Sequence, residues 1–128
     1  MSQFLVQQFV ETKHELLIGG FRDPCFGPVV IFGSGGKYVE VIDDTAIKSC
    51  YISDDDIENM IDSTKIGRIL RGVREEKPCD ISKLKSIIKS CANMLLENEN
   101  ISEFDLNPLV VDQSNKFFAV DIRIKMLN

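Results

Sequence analysis

The sequence has no excess of positive charge, no long apolar run, no paired-cysteine motif and a single histidine, and each shortage closes off a class of function. Lysine and arginine number 15 against 20 aspartates and glutamates, a formal charge of -5. That balance argues against a nucleic-acid backbone or an anionic membrane as partner, since both reward a basic surface. No stretch approaches the ~20 apolar residues of a membrane span, and the first residues lack the basic segment and cleavage pattern of a signal peptide. A cytoplasmic protein is expected. The four cysteines, Cys25, Cys50, Cys79 and Cys91, are scattered without a CxxC pair. They read as buried or incidental thiols in a reducing compartment rather than a disulfide framework or metal site. The one histidine, His14, stands among polar residues in an expected bend and reads as solvated rather than catalytic.

What is present is enough for one domain. At 128 residues and 44% hydrophobic content, the chain 1–128 can bury a real core, and no linker or repeat divides it. Residues 3–10, 14–22, 28–34 and 37–43 are rich in Val, Ile, Leu and Phe and broken by Gly and Pro, which predicts strands joined by turns. Ser53 before Asp54, Asp55 and Asp56 predicts a helix N-cap with helpful negative charge, and this explains the acidic triplet better than a calcium loop does. A second short helix is expected after Ser63, ending near Gly72. Asp80 then caps the longest helix, in which Ile81, Leu84, Ile88, Cys91 and Leu95, with Ile87 and Met94 beside them, form one apolar stripe. Lys83, Lys85 and Lys89 are expected to face away from it. Strands, then helices, then strands imply an α+β fold, an antiparallel sheet flanked by helices. Gly33-Ser34-Gly35-Gly36 reads as a hairpin turn rather than a phosphate loop, because Tyr38 to Ile42 is expected to continue as strand.

The most informative feature lies near the C-terminus. The segments Phe104 to Val111 and Phe117 to Ile124 flank a turn-prone stretch, Asp112 to Lys116. Antiparallel pairing sets Val111 against Phe117, Leu109 against Ala119, Asn107 against Asp121 and Asp105 against Arg123. Leu106, Val110, Phe118, Val120, Ile122 and Ile124 then share the opposite face, expected to be the core face. Opposed β-carbons lie roughly 5 Å apart, close enough for the Asn107 amide oxygen and the Asp121 carboxylate to hold one small hard cation, with magnesium the natural choice. A plain polar outer face with an Asp105–Arg123 ion pair accounts for the same pattern.

Asp105-Leu106-Asn107-Pro108-Leu109-Val110-Val111, followed by Ala119-Val120-Asp121-Ile122-Arg123-Ile124, resembles the end of the ATP-grasp domain in NDP-forming acyl-CoA synthetases. That group includes the beta subunit of ADP-forming acetyl-CoA synthetase and, more distantly, that of succinyl-CoA synthetase. Phe4 to Gly20 is similar to the family's hinge strand, its bend and the strand that returns from it. Phe21 to Glu40 is close to a signature of the acetyl-CoA-type members. Leu70-Arg71-Gly72-Val73-Arg74 also fits, although Glu75 stands where the family usually has Gly.

The resemblance implies a fold, the C-terminal subdomain of an ATP-grasp domain, and a set of roles. The backbone of Gln7, Gln8, Phe9 and Val10 would contact the adenine of ATP or ADP, Glu15 would lie next to the nucleotide, and Asn107 and Asp121 would bind its Mg2+. No catalytic residue is implied within the chain, because the family's phosphate-transferring histidines have no counterpart here. The complete enzyme would interconvert acyl-CoA, nucleoside diphosphate and phosphate with free acid, CoA and nucleoside triphosphate through a phosphohistidine. The expected partners are the first ATP-grasp subdomain, which this sequence does not contain, and a CoA-binding subunit or domain. The chain alone is then expected to be an inactive half-site with at most weak nucleotide affinity. Two other readings remain: a non-enzymatic interaction module, or a truncated remnant that self-associates into a homo-oligomer through the surface its missing half would cover.

Overall fold

The computed structural model describes residues 12–37, 39–73 and 76–127. The expected strand at 3–10 and the segment Gln7 to Val10 lie outside them, as do Arg74 and Glu75. The elements run β1 (Thr12–Asp23), β2 (Gly27–Ser34), α1 (Val39–Ile42), β3 (Thr45–Ser49), α2 (Asp54–Asp62), α3 (Lys65–Leu70), α4 (Ile81–Glu97), β4 (Ile101–Asp112), β5 (Phe117–Ala119) and β6 (Ile122–Met126). Six strands form one antiparallel sheet in the order β3-β2-β1-β4-β5, with β6 also on β4. Antiparallel strands flanked by helices are the fold class the sequence implies.

Local chemistry explains most of the boundaries. Between β1 and β2 the Asp23 carboxylate accepts hydrogen bonds from the Cys25 and Phe26 N–H groups, and Gly27 supplies a φ of 75°. Ser53 and Asp56 form a reciprocal capping box at α2, and Asp80 accepts from Lys83 N at α4. One face of the sheet packs on the helices. Leu16, Ile18, Val30 and Phe32 meet Ile57, Met60 and Ile61 of α2 and Leu84, Ile88, Ala92 and Leu95 of α4 in a single core. The α4–β4 turn is fastened from a distance, because the Arg22 guanidinium donates to the carbonyls of Leu95, Asn98 and Ile101. Those carbonyls stand at the end of α4 and the start of β4, where the helix leaves acceptors without partners.

Four expectations change. The strand expected at 37–43 is not formed by the described residues there: Val39–Ile42 is one short helix and the next strand is Thr45–Ser49. The chain returns alongside β2 only at Asp44–Thr45 and not at the glycines, because Gly35 N donates to Glu15 O and Gly36 N to Asn107 Oδ1, which carry the loop across β1 to β4. Val41 and Ile42 are left exposed, so tertiary pairing overrides their β propensity. Gly33-Ser34-Gly35-Gly36 therefore joins a strand to a short helix rather than closing a hairpin.

The core face of β4 is also not the expected one. Leu109 and Val111 join Ile101 and Phe104 in the helix-side core, whereas Phe118, Val120, Ile122 and Ile124 are exposed. Pairing explains the reversal. Leu16 faces Leu109 and Ile18 faces Leu106, so β4 spends an extra residue at Asn107–Pro108, and this bulge lets Leu106 and Leu109 lie on the same side. Val110, buried but outside that core, then points to the opposite face. Ile122 and Ile124 pair with Leu106 and Phe104 and share their side, but the helices lie over β1 and β2 and leave β6 uncovered. Finally, only Lys83 of the three lysines is fully exposed. Lys85 pairs with Glu58 at 3.0 Å and Lys89 donates to Ile52 O, so both fasten α4 to the α2 region.

Candidate functional site

Residues facing away from the helices form the candidate site. Glu15 and Leu17 alternate with the core residues Leu16 and Ile18, which places them on the face of β1 opposite the core. Glu15 pairs with Val110 on β4, and Asn107 lies three residues earlier, at the bulge, where the Asn107–Pro108 peptide is cis. The glycine loop joins the two. Gly36 N donates to Asn107 Oδ1 at 2.7 Å, and a β-carbon at Gly36 would fall on the Glu15 carboxylate. Glu15 and Asn107 are therefore neighbours through the Gly36 backbone, although 92 positions of sequence separate them.

Asp121 stands where the hairpin register puts it. Asn107 N donates to Asp121 O at 3.1 Å between β5 and β6, and the flanking pairs Leu109–Ala119 and Asp105–Arg123 hold on either side. The expected ion pair shifts by one partner: Arg123 Nε lies 3.7 Å from Asp121 Oδ2 rather than against Asp105. Asp121 keeps a half-exposed carboxylate. Among the described residues no group of three His, Cys, Asp or Glu side chains could hold a metal alone. Asn107 and Asp121 instead offer one amide and one carboxylate oxygen. This hard-oxygen pair suits an ion that keeps several waters and shares phosphate oxygens, and the amide oxygen has a second lone pair beyond the one Gly36 uses.

His14 is half-buried rather than solvated, opposite Val111. Burial pushes its pKa down, Lys13 adds to this, and Glu76 opposes it, so it is neutral near pH 7. Cys50 and Cys79 are buried and Cys91 half-buried, and burial pushes the Cys50 and Cys91 thiols up to about 11. These three are the buried thiols the sequence reading expects, whereas Cys25 is exposed in the β1–β2 turn.

Sequence reasoning missed the group that holds the glycine loop. Asp44 accepts hydrogen bonds from Ser34 Oγ at 3.0 Å and from Lys65 N and Ile66 N, both at 2.8 Å. Burial raises its carboxyl pKa, but those bonds outweigh burial and leave it below the ordinary value. The partners of Asp44 lie 10, 21 and 22 positions away, so no local pattern marks it.

A family model described as an ATP-grasp domain matches residues 1–126. The chain is 39% identical over 120 residues to an ADP-forming acetate–CoA ligase of Archaeoglobus fulgidus, covering 94% of this chain and 17% of that protein. It is 36% identical over 120 residues to the beta subunit of an ADP-forming acetate–CoA ligase of Pyrococcus furiosus, covering 94% of this chain and 51% of that subunit. Among solved structures, it superposes with a TM-score of 0.84 and 35% identity on acetyl-coenzyme A synthetase 1 of Ca. Korarchaeum cryptofilum, covering 99% of this chain and 61% of that one. That structure is in complex with coenzyme A and Mg-AMPPCP, with its phosphohistidine segment pointing towards the nucleotide binding site. The chain thus spans about half the length of the beta subunit and a smaller part of the longer ligase.

Proposed function

The chain belongs to the ATP-grasp family, and on that premise we propose that it supplies part of the nucleotide site of an ADP-forming acyl-CoA ligase. The observation that carries the reading is the hydrogen bond from Gly36 N to Asn107 Oδ1, which gathers Glu15 and Asn107 on the face of the sheet opposite the core. In this reading the backbone of Gln7, Gln8, Phe9 and Val10 contacts the adenine of ATP or ADP, and Glu15 lies beside the nucleotide. Asn107 and Asp121 would hold Mg2+ through the amide and carboxylate oxygens described above. When bound, the ion offsets charge on the transferred phosphoryl group. The chain's own residues orient the nucleotide. The complete ligase would pass the phosphoryl group through a phosphohistidine on another part of the assembly, with the remaining ATP-grasp residues and a CoA-binding subunit or domain as partners. In this reading the half-buried His14 takes no part in that transfer. No helix among the described residues is long and apolar enough to cross a membrane; in this reading the ligase is cytoplasmic.

Calorimetric titration of the purified chain with ADP in millimolar magnesium tests the reading. Weak binding is expected, and it should vanish when the metal is chelated. Absence of heat at millimolar magnesium ADP, or equal binding without metal, would remove nucleotide recognition from this chain.

One observation favours a second reading, an interaction module. Val120, Ile122, Ile124 and Met126 are 64, 57, 48 and 54% exposed along one sheet edge, an apolar strip of the kind that marks contact surfaces. On that reading the chain self-associates in light scattering, Ile124→Lys returns it to monomer, and magnesium ADP changes neither result. A clean wild-type monomer would count against it.

A further inference from the structure

Asp44 does more than its helix requires. In the short α3 the first three N–H groups are all satisfied: Lys65 N and Ile66 N by the Asp44 carboxylate, and Gly67 N by the Thr64 hydroxyl at 2.9 Å. Nothing in that cap calls for Ser34. Yet Ser34 Oγ donates to Asp44 Oδ2 and Ser34 N donates to Asp44 O at 2.9 Å, two bonds to one residue. The packing there is tight, since a β-carbon at Gly33 would overlap the Asp44 carbonyl. Two residues beyond Ser34, Gly36 N reaches Asn107 Oδ1, and between them Gly35 N reaches Glu15 O at 2.9 Å. The glycine loop is thus clamped between α3 on one side and β1 and β4 on the other.

We propose that Ser34 and Asp44 are positioning residues: they hold the Gly35–Gly36 backbone where its N–H fixes the amide of Asn107, setting which oxygen lone pair faces the nucleotide. The proposal rests on the reading of Asn107 as a ligand to the nucleotide-bound metal. It extends that site to a tether reached only through the loop. Asp44 has two jobs, cap and tether, but the Ser34 hydroxyl serves only the tether, so Ser34→Ala removes the side-chain half of the tether and leaves the cap and the Ser34 N to Asp44 O bond in place.

The experiment compares wild type, Ser34→Ala, Ser34→Thr and Ser53→Ala by amide hydrogen exchange at Gly36, by unfolding midpoint and by magnesium ADP titration. Ser34→Ala is expected to speed Gly36 exchange and weaken magnesium ADP by about five- to tenfold each, the scale of one lost hydrogen bond, with little change in midpoint. Ser34→Thr keeps the hydroxyl and should restore both. Ser53→Ala removes the α2 cap and should lower the midpoint without moving either readout. Unchanged Gly36 exchange in Ser34→Ala, or the same change in Ser53→Ala, overturns the tether. If wild type binds no magnesium ADP, the functional reading fails, while Gly36 exchange still decides the tether.

Discussion

Gly35→Ala is expected to destabilise the protein by about 3 kcal/mol or more, at the upper end of what overpacking costs. A β-carbon there would overlap the Leu16 carbonyl and come within 2.9 Å of Leu17 N. Both are backbone atoms of β1, which is hydrogen-bonded to β2 on one side and β4 on the other, so they have no room to retreat. Moving the loop instead would break the Gly35 N to Glu15 O bond. Two other glycines set the scale. Gly27→Ala meets nothing within 4 Å and carries only the strain of φ 75°, about 1 kcal/mol. Gly36→Ala combines φ 96° with a clash against the Glu15 carboxylate, the end of a side chain that is able to swing away. Chemical denaturation should rank the losses Gly35, then Gly36, then Gly27. A Gly35→Ala protein as stable as Gly27→Ala would show that the loop does not lie against β1.

Loss of metal-dependent nucleotide binding is the expected result of both Asn107→Ala and Asp121→Ala, by at least about tenfold, the scale for removing an oxygen that holds or orients a metal. The two variants should separate in stability. Asp121 is half-exposed and its 3.7 Å contact with Arg123 is a surface pair, so Asp121→Ala should unfold where wild type does. Asn107→Ala also leaves Gly36 N without its acceptor and should lower the midpoint. Asn107→Asp keeps an oxygen for both tasks and should retain binding. Calorimetry with magnesium ADP, paired with thermal unfolding, reads all three. Binding that survives in both alanine variants would dissociate these residues from the metal.

What the sequence made legible was mostly local. The helix caps at Ser53 and Asp80 and the β4–β5 register follow from residues within a few positions of one another. The family was legible too, through ungapped strings such as Phe21 to Glu40. What could not be read was set by distant partners. The phase of β4 depends on a bulge defined against β1, and that single step moved Leu109 and Val111 into the core and turned Val110 and its partner Phe118 away from it. Val41 and Ile42 look like strand residues, but the loop is pulled across β1 before a strand can form. Lys85 and Lys89 look like a solvated face because their partners, Glu58 and Ile52, belong to another element. The expectation that Glu15 lies beside the nucleotide came from the family resemblance, and its place next to Asn107 is marked by no spacing in the sequence.

Arg22 gives the chain a connectivity of its own. It sits near the end of the first strand described, yet it fastens the turn between the last helix and β4. With β1 lying between β2 and β4, the early and late parts of the sequence are interleaved in one sheet. A backbone cut in the exposed segment near Glu76 would therefore not divide the molecule into two foldable pieces. The earlier fragment would carry β1 without its β4 partner, and the later one would carry an α4–β4 turn without its buckle. Each would hold what the other needs, so the pair would be stable only together, as a split protein whose halves recognise one another through their own missing strands.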